Sequence, residues 1–443
     1  MNTARVAPVR LIEEQLDPHL FTGPASLVIR HPGPTFSPDS RDARCLEGRR
    51  TEGDRAAVPA YRAANVGRLR FHFDSELWHL PTLEGPWCLA PGDVVLNRMP
   101  PLRAAWAAVA LPAHPIDAGC IVVRGLNDLD ACWLAICLNQ PGHARWLERR
   151  SGVALLPRVR LSVIRKLPLA FPPPLCEPLA GQLRAWQLDA LHLDRTMVRL
   201  QAKVDRAVAD RAAPECEPAS GPWWRVVPEE EVGDVLLPDR AALGPLRRDL
   251  RGAGWLPLAD LLDDDPGVRR RQTAIDREGL YLRLGDVGED LTLQPGERGH
   301  APPNPGQAYA APLGAGEVLL SLLVSSPRVA FVDAAAARVY PDAHWRRLRF
   351  RETPAAWALV LRSPPLREQL RHLAAGNTRQ FAHFGEVERL ALPPLSLEDR
   401  QRWDAALREG HRRRRELEAQ WRRIEDEARR LYDEVYSPAS GGR

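Results

Sequence analysis

The stretch EPLAGQLRAWQLDALHLDRTMVRLQAKVDRAVADR, residues 177–211, decides how the rest of the chain is read. In it Leu179, Leu183, Trp186, Ala190, Leu193, Met197, Leu200, Val204 and Ala207 recur at alternating steps of four and three. A period of about 3.5 residues turns one apolar stripe toward a partner helix and leaves charged residues on the other faces. The alternation returns in residues 397–436, where it selects Trp403, Leu407, Leu417, Trp421, Ile424, Ala428, Leu431 and Val435, with Gly410 and Arg414 as interruptions. Neither helix is apolar enough to be buried all round, and the two are similar in length. The stripes are expected to pack on each other, through Leu183, Trp186, Leu193, Met197 and Leu200 on one side and Leu417, Trp421, Ile424 and Leu431 on the other. The alternative, each helix docked on its own globular segment, stays open at this level.

The remaining composition sets outer bounds. A chain of 443 residues with 44% apolar and 27% charged residues is expected to be soluble and to form roughly two to four domains. Its longest apolar runs, Ala104–Ile116 and Val318–Pro327, are too short to span a bilayer. The opening MNTARVAPVRLIEEQL has no continuous apolar core of the secretory kind, so a cytoplasmic location is expected. The net charge of +4 is only mildly basic, and Lys166 and Lys203 are the only lysines, so positive charge means arginine. Seven cysteines, odd in number and without C-x-x-C spacing, read as small buried residues in a reducing compartment, with no structural zinc expected.

Along the chain, Ala25–Ile29 is a strand candidate and Gly48–Asp54 a loop. Val58–Val66 and Leu69–Phe73 read as strand, turn and strand. Ala90–Arg98 combines a turn signal with a short buried strand, Ala104–Leu111 and Cys120–Val123 suggest two more, and one helix is expected over Leu129–Arg150. After the Pro- and Glu-rich residues 212–222 the order starts again. Tyr281–Val287 echoes Tyr61–Val66, and Gly316 echoes Gly92. Ala355-Ala356-Trp357 echoes Ala131-Cys132-Trp133, Pro365 echoes Pro141 and Gly376 echoes Gly152. From Gly92 onward these matches share one offset of 224 residues, which reads as a tandem duplication. The expected division is a first domain over 1–175, a long helix over 176–211, a linker over 212–225, a second domain over 226–395, a second long helix over 396–436 and a disordered tail over 437–443.

Motifs for catalysis are missing. The sequence has no G-x-x-x-x-G-K-[ST], no G-x-G-x-x-G opening a helix, no H-E-x-x-H, no G-x-S-x-G and no Asn or Asp followed by Pro-Pro-aromatic. The twelve histidines are dispersed without metal-ligand spacing. A reader is expected, not a catalyst, with no metal and no cofactor on the chain itself.

The order of elements resembles the DNA-specificity subunit of type I restriction-modification systems over nearly the whole chain. The residues that carry the resemblance are Tyr61–Val66 with Tyr281–Val287, then Gly92-Asp93-Val94-Val95-Leu96-Asn97-Arg98, then Gly376-Asn377-Thr378-Arg379-Gln380-Phe381 running to Leu390–Pro394 before the helix. The resemblance implies an α+β chain of two tandem α/β target-recognition domains, each followed by a long helix, the helices pairing as an antiparallel coiled coil. It further implies recognition of a bipartite target in double-stranded DNA and recruitment of two methyltransferase subunits. A restriction and translocase subunit would join through those subunits, and S-adenosylmethionine and ATP would sit on the partners. Arginine, Asn, Ser, Thr and Gln on loops can reach base edges, while neighbouring arginines hold phosphates. The candidates in the first domain are Arg62, Asn65, Asn97, Arg98, Arg103, Arg158 and Arg160, and in the second Arg283, Ser325, Arg328, Thr378, Arg379 and Gln380. For each, a solvated or ion-paired surface residue is the competing reading. The arginine runs at 412–415 and 422–423 read as a solvated helix face or as contacts to phosphate or a partner.

There are departures. Met99-Pro100-Pro101-Leu102-Arg103 stands where the family carries glycines, Leu322 stands at the place of Arg98, Gly316-Glu317 replaces a Gly-Asp pair, and Gly152-Val153-Ala154 replaces the Thr-Arg motif. They keep a second reading in play: a scaffold or DNA-binding subunit of another phage-defence complex that has lost or changed target recognition.

Overall fold

The computed structural model describes residues 28–30, 57–71, 78–81, 88–112, 114, 116, 119–150, 158–164, 167, 169–170, 172–211, 250–263, 280–288, 291–293, 309, 311–323, 327–334, 339–342, 344–375, 381–382 and 387–436. The expected loop at 48–54, the linker at 212–225 and the tail at 437–443 lie outside the described residues. Helix and strand are mixed, and the last described element is a long helix. Among the described residues no helix is long and apolar enough to cross a membrane. The chain divides into two compact units, Met1–His192 with Arg415–Arg443, and Leu193–Arg414.

The first unit contains β1 (Val28–Arg30), β2 (Ala57–Ala60), β3 (Trp78–Pro81), β4 (Val94–Asn97), β5 (Ala104–Trp106) and β6 (Cys120–Arg124). Its helices are α1 (Asp128–Asn139), α2 (Pro141–Arg150), α3 (Leu161–Ile164) and the opening of α4 (Cys176–Ala209). An antiparallel sheet runs in the order β1-β6-β4-β5, with Val95 opposite Val122 on one side and Ala105 on the other. Every residue of β4 is buried, as befits a central strand covered on both faces. One cover is α1, which packs on β4 and β5 and is buried without a break from Asp130 to Leu138. Its Trp133 indole donates to Ala170 O at 2.9 Å, so the one polar atom of a large buried ring is satisfied.

The single helix expected over Leu129–Arg150 is two helices. The residue before a proline is pushed out of the helical region, and Gln140 accordingly stands at φ −84, ψ 144 while Pro141 opens α2. Of the strand expected at Leu69–Phe73, the described residues 69–71 form no strand. Leu69 sits in the left-handed region at φ 59, held there by its N–H donating to Ala104 O at 2.7 Å, and only isolated bridges form at Leu69 and Phe71.

The second unit contains β7 (Leu256–Pro257), β8 (Leu280–Leu282), β9 (Glu317–Ser321), β10 (Val329–Phe331), β11 (Val339–Pro341) and β12 (Trp345–Arg349), then α5 (Pro354–Leu361) and α6 (Pro364–His372). The short strands β13 (Ala374–Ala375), β14 (Phe381–Ala382) and β15 (Ala391–Leu392) precede α7 (Leu397–Tyr436). The central strand is β9, between β10 and β12 in an antiparallel sheet and buried along its whole length. Helix α5 packs on β9 and β10 and is buried from Ala355 to Leu361.

Local geometry repeats between the units. Gly92 and Gly316 both take φ above 80, at the turn before β4 and before β9. Leu69 and Leu291 are both left-handed non-glycine residues, at φ 59 and 66. A 3-10 turn spans Ala63–Asn65 in one unit and Leu284–Asp286 in the other. Just before that turn the chain pairs in parallel in both units: Tyr61 bridges Ile116, and Tyr281 and Leu282 pair with Tyr340 and Pro341.

The helical stripes are buried within each unit. In the first, Trp186 donates from its indole to Leu417 O at 2.8 Å and meets Trp421 at 4.8 Å between ring centroids. The far end of α7 is fixed there too: Tyr436 Oη accepts from Ala170 N at 2.6 Å, and Tyr432 Oη lies 2.8 Å from His143 Nδ1. In the second, Asp194 pairs with Arg414, and Gly410 leaves the space that Met197 occupies, since a Cβ there would overlap Met197 Sδ. What reads in the sequence as a gap in the stripe is a socket. Toward the end of α4 the strict heptad gives way. Val208 is buried while Ala207 is only half-buried, the drift expected when a helix keeps 3.6 residues per turn.

Candidate nucleic-acid interface

The β4–β5 hairpin of the first unit is built by two polar side chains. Asp93, fully buried after the Gly92 turn, accepts from Ala90 N at 2.8 Å and from Arg124 at 2.6 and 2.7 Å. At the other end of β4, Asn97 donates to Met99 O at 3.0 Å and Pro101 O at 2.9 Å and accepts from Arg103 N at 2.5 Å. One side chain thus closes the whole connection between the strands. This is how residues 98–103 keep a fixed path although Met99, Pro100 and Pro101 are exposed.

Arginines gather around that connection. Arg98 is half-buried; its backbone O accepts from Val159 N at 2.9 Å and its Nε donates to Val159 O at 3.1 Å. Val159 is buried, so its neighbours Arg158 and Arg160 are both exposed, one on either side of the Arg98 contact. Burial, and then the charge of Arg158, lower the Arg98 pKa from its ordinary value. Two guanidinium groups close enough to feel each other gain from a shared anion, and planar guanidinium forks suit phosphate oxygens and the O6/N7 edge of guanine. Arg103 is exposed at the opposite lip of the hairpin.

The other candidates of this unit differ in placement. Arg62 is half-buried at the start of the 3-10 turn, whereas Asn65 is fully buried and its Oδ1 accepts from Arg62 N at 2.9 Å. Asn97 is buried as well. Both asparagines therefore shape loops that carry arginines.

The second unit repeats the frame with other residues. Glu317, fully buried, accepts from Gly314 N at 3.2 Å, from Arg347 at 2.7 Å and from Arg349 at 3.0 Å. Ser321 takes the place of Asn97: its Oγ accepts from Arg328 N at 3.0 Å and donates to Leu323 O at 3.2 Å. Leu322 takes the place of Arg98; its O accepts from Ala382 N at 2.8 Å, as Arg98 O accepts from Val159 N, but its side chain is buried. Asp286 repeats the Asn65 role by accepting from Arg283 N at 2.7 Å, and Arg283 itself is exposed. Arg328 is half-buried, and Ser325, Thr378, Arg379 and Gln380 lie outside the described residues.

Of the stripe residues, Leu183, Trp186, Leu193, Met197, Leu417, Trp421, Ile424 and Leu431 are buried and Leu200 is half-buried. Sequence reasoning missed the anchors Asp93 and Glu317, although an acid after each turn glycine was visible. It also missed Arg68 and Arg70, which pair with Glu425 and Glu418 of α7 at 3.1 and 2.8 Å; nothing in the local pattern marks such long-range partners. Among the described residues no group of three His, Cys, Asp or Glu side chains could hold a metal ion.

No family model matches the sequence, and neither does any curated protein. Solved structures do. One is the S subunit of a type I restriction-modification system from M. genitalium, with a TM-score of 0.40 and 8% identity over 91% of this chain and 93% of that one. Another is the HsdS subunit from Thermoanaerobacter tengcongensis, with a TM-score of 0.25 and 15% identity over 86% and 90%. A third, from work on complex assembly and conformational transition of the type I R-M system, gives 0.26 and 17% over 86% and 90%.

Proposed function

We propose that this chain is a non-catalytic specificity subunit of a type I restriction-modification complex, reading a bipartite sequence in double-stranded DNA. The observation that carries the proposal is the gathering of Arg98, Arg103, Arg158 and Arg160 around one hairpin connection, whose path is fixed by the buried Asn97. Repetition of that hairpin frame in the second unit supports a tandem duplication and a second half-site. There Arg283, Arg328 and the loops holding Ser325, Thr378, Arg379 and Gln380 would make the contacts. In each unit the contacts between α4 and α7 support an antiparallel coiled coil: Trp186 meets Leu417 and Trp421, while Asp194 meets Arg414 and Met197 meets Gly410. The pair would act as a spacer and, with adjoining surfaces, recruit two methyltransferase subunits in the cytoplasm. S-adenosylmethionine and ATP would then be bound by partners, and a restriction and translocase subunit would join through them.

Selection from random duplexes, run with the chain alone and with a co-expressed methyltransferase subunit, tests this. A split target is expected, and Arg98→Ala should relax preference in one half only, by about 1–3 kcal/mol if the contact is to a base edge. Absence of any sequence preference in both preparations would sink the proposal. It would favour the second reading, a scaffold or DNA-binding subunit of another defence complex. Leu322 at the Arg98 position already points that way for the second unit.

A further inference from the structure

We infer that helix α2 of the first unit is a sequence-independent phosphate clamp on duplex DNA, so that the first unit supplies most of the electrostatic grip. The inference rests on the DNA-reading proposal and adds a surface to it. Arg145, Arg149 and Arg150 of α2 are all exposed, and the Arg150 guanidinium lies 4.1 Å from the centroid of the half-buried Trp146 ring. Arg145 is braced by donating from Nε to Pro141 O at 3.1 Å. The helix is set beside the hairpin cluster, because α2 packs on α3 and α3 begins directly after Arg160, whose backbone O accepts from Val163 N and Ile164 N.

Charge complementarity names the occupant. Residues 141–166 hold seven basic side chains against the single acid Glu148. Such an excess on one short stretch repels itself unless an extended polyanion neutralises it. Residues 364–389 of the second unit, which match in order, hold four basic and three acidic side chains. Burial raises the pKa of the Asp205 carboxyl, and the Gln201 hydrogen bond and then the charge of the exposed Arg367 of α6 oppose that rise. The excess of positive charge on this stretch is therefore found in one unit and not in the other. Arginines on a helix face without a hairpin to aim them suit phosphate oxygens, which fix register but carry no sequence information.

The test is a salt titration of duplex binding with the full chain, on its selected target and on random duplex. The triple variant R145Q/R149Q/R150Q should lose on the order of tenfold affinity for both, and its log–log salt slope should fall by about two to three, close to one per phosphate contact. R145K/R149K/R150K should keep most of the slope, and Arg367→Gln in α6 should change it little. Circular dichroism and thermal melting of each variant check that the fold is retained. If the slope is unchanged while the wild-type chain still selects its target, the clamp is wrong and the specificity reading survives. Loss confined to particular base pairs also overturns the clamp. Binding that is arginine-dependent but blind to sequence keeps the clamp and removes the specificity reading, and a wild-type chain that binds no duplex removes both.

Discussion

The two units solve the same backbone problem with different side chains. Each begins its central strand after a glycine with φ above 80 and follows it with a buried acid, and each closes the next connection with a polar residue at the strand end. The first unit uses Asp93 with Arg124 and closes with Asn97, while the second uses Glu317 with Arg347 and Arg349 and closes with Ser321. The frame demands an acceptor for the N–H three residues before the acid, at Ala90 and at Gly314, and any carboxylate of suitable reach will serve. The residue just after the strand is under no such demand. Arg98 and Leu322 make the same backbone bonds there, so that position is free to carry function in one unit and packing in the other.

The largest difference between the units should appear when the anchors are neutralised. Glu317 and the Arg347 side chain are almost wholly removed from solvent, and a buried pair broken on one side leaves a stranded charge worth about 3–5 kcal/mol. Arg124 is a quarter exposed, so Asp93→Asn leaves a guanidinium that water can reach, at a cost of about 1–3 kcal/mol. Hydrogen exchange resolved by peptide should show β9 and β12 losing protection in Glu317→Gln, and a smaller loss around β4 and β6 in Asp93→Asn. Equal losses would mean that burial of the pair does not set its worth.

The closing residues offer a finer comparison. Asn97 makes three side-chain bonds and Ser321 makes two. At about 1 kcal/mol net per bond, Asn97→Ala should be the costlier change by roughly that amount in a denaturant titration. It should also blur base preference in the first half-site, because the path of residues 98–103 is released. Ser321→Ala should leave that half-site intact. Were both changes to leave preference untouched, the hairpin connections would not be where the chain reads DNA.

How much of this was legible in the sequence depends on the range of the force involved. The stripes of α4 and α7 are periodic, and their burial follows from periodicity alone. Strands β4 and β9 follow from a turn glycine and an apolar run. Leu69 did not, since its left-handed backbone is imposed by Ala104 across the fold and no local preference announces it. Gly410 read as a fault because the residue that fills its space, Met197, lies on the other helix. The arginines were legible as a type of residue, but the sequence could not show that Asn65 and Asn97 point inward to shape loops. That required knowing which backbone groups were left without partners.

A further difference separates the units by pH. Asp130 follows the N-cap Asn127 in α1, is only 1% exposed, and accepts from Asn127 Nδ2 at 2.6 Å, while its Oδ1 has no hydrogen-bond partner among the described residues. Burial pushes its pKa up to about 6, against the opposing pull of the Asn127 hydrogen bond. Because the folded-state pKa lies above that of the unfolded chain, the protonated carboxyl favours folding. Its contribution is complete below the unfolded value near 3.8 and is lost as pH rises through about 6. The second unit has Pro354 at the matching place and cannot show this dependence. Asp130→Asn keeps the shape and removes the titration, so the variant should gain about 1–3 kcal/mol over the wild type above pH 7, the usual cost of an unsatisfied buried polar group. The gain should vanish below about pH 4, where both side chains are neutral. Paired denaturant titrations across that range, read by protection of α1 and of α5, would locate it. A gain that is constant with pH, or one that appears equally in α5, would mean that the Asp130 carboxyl is not the group that titrates.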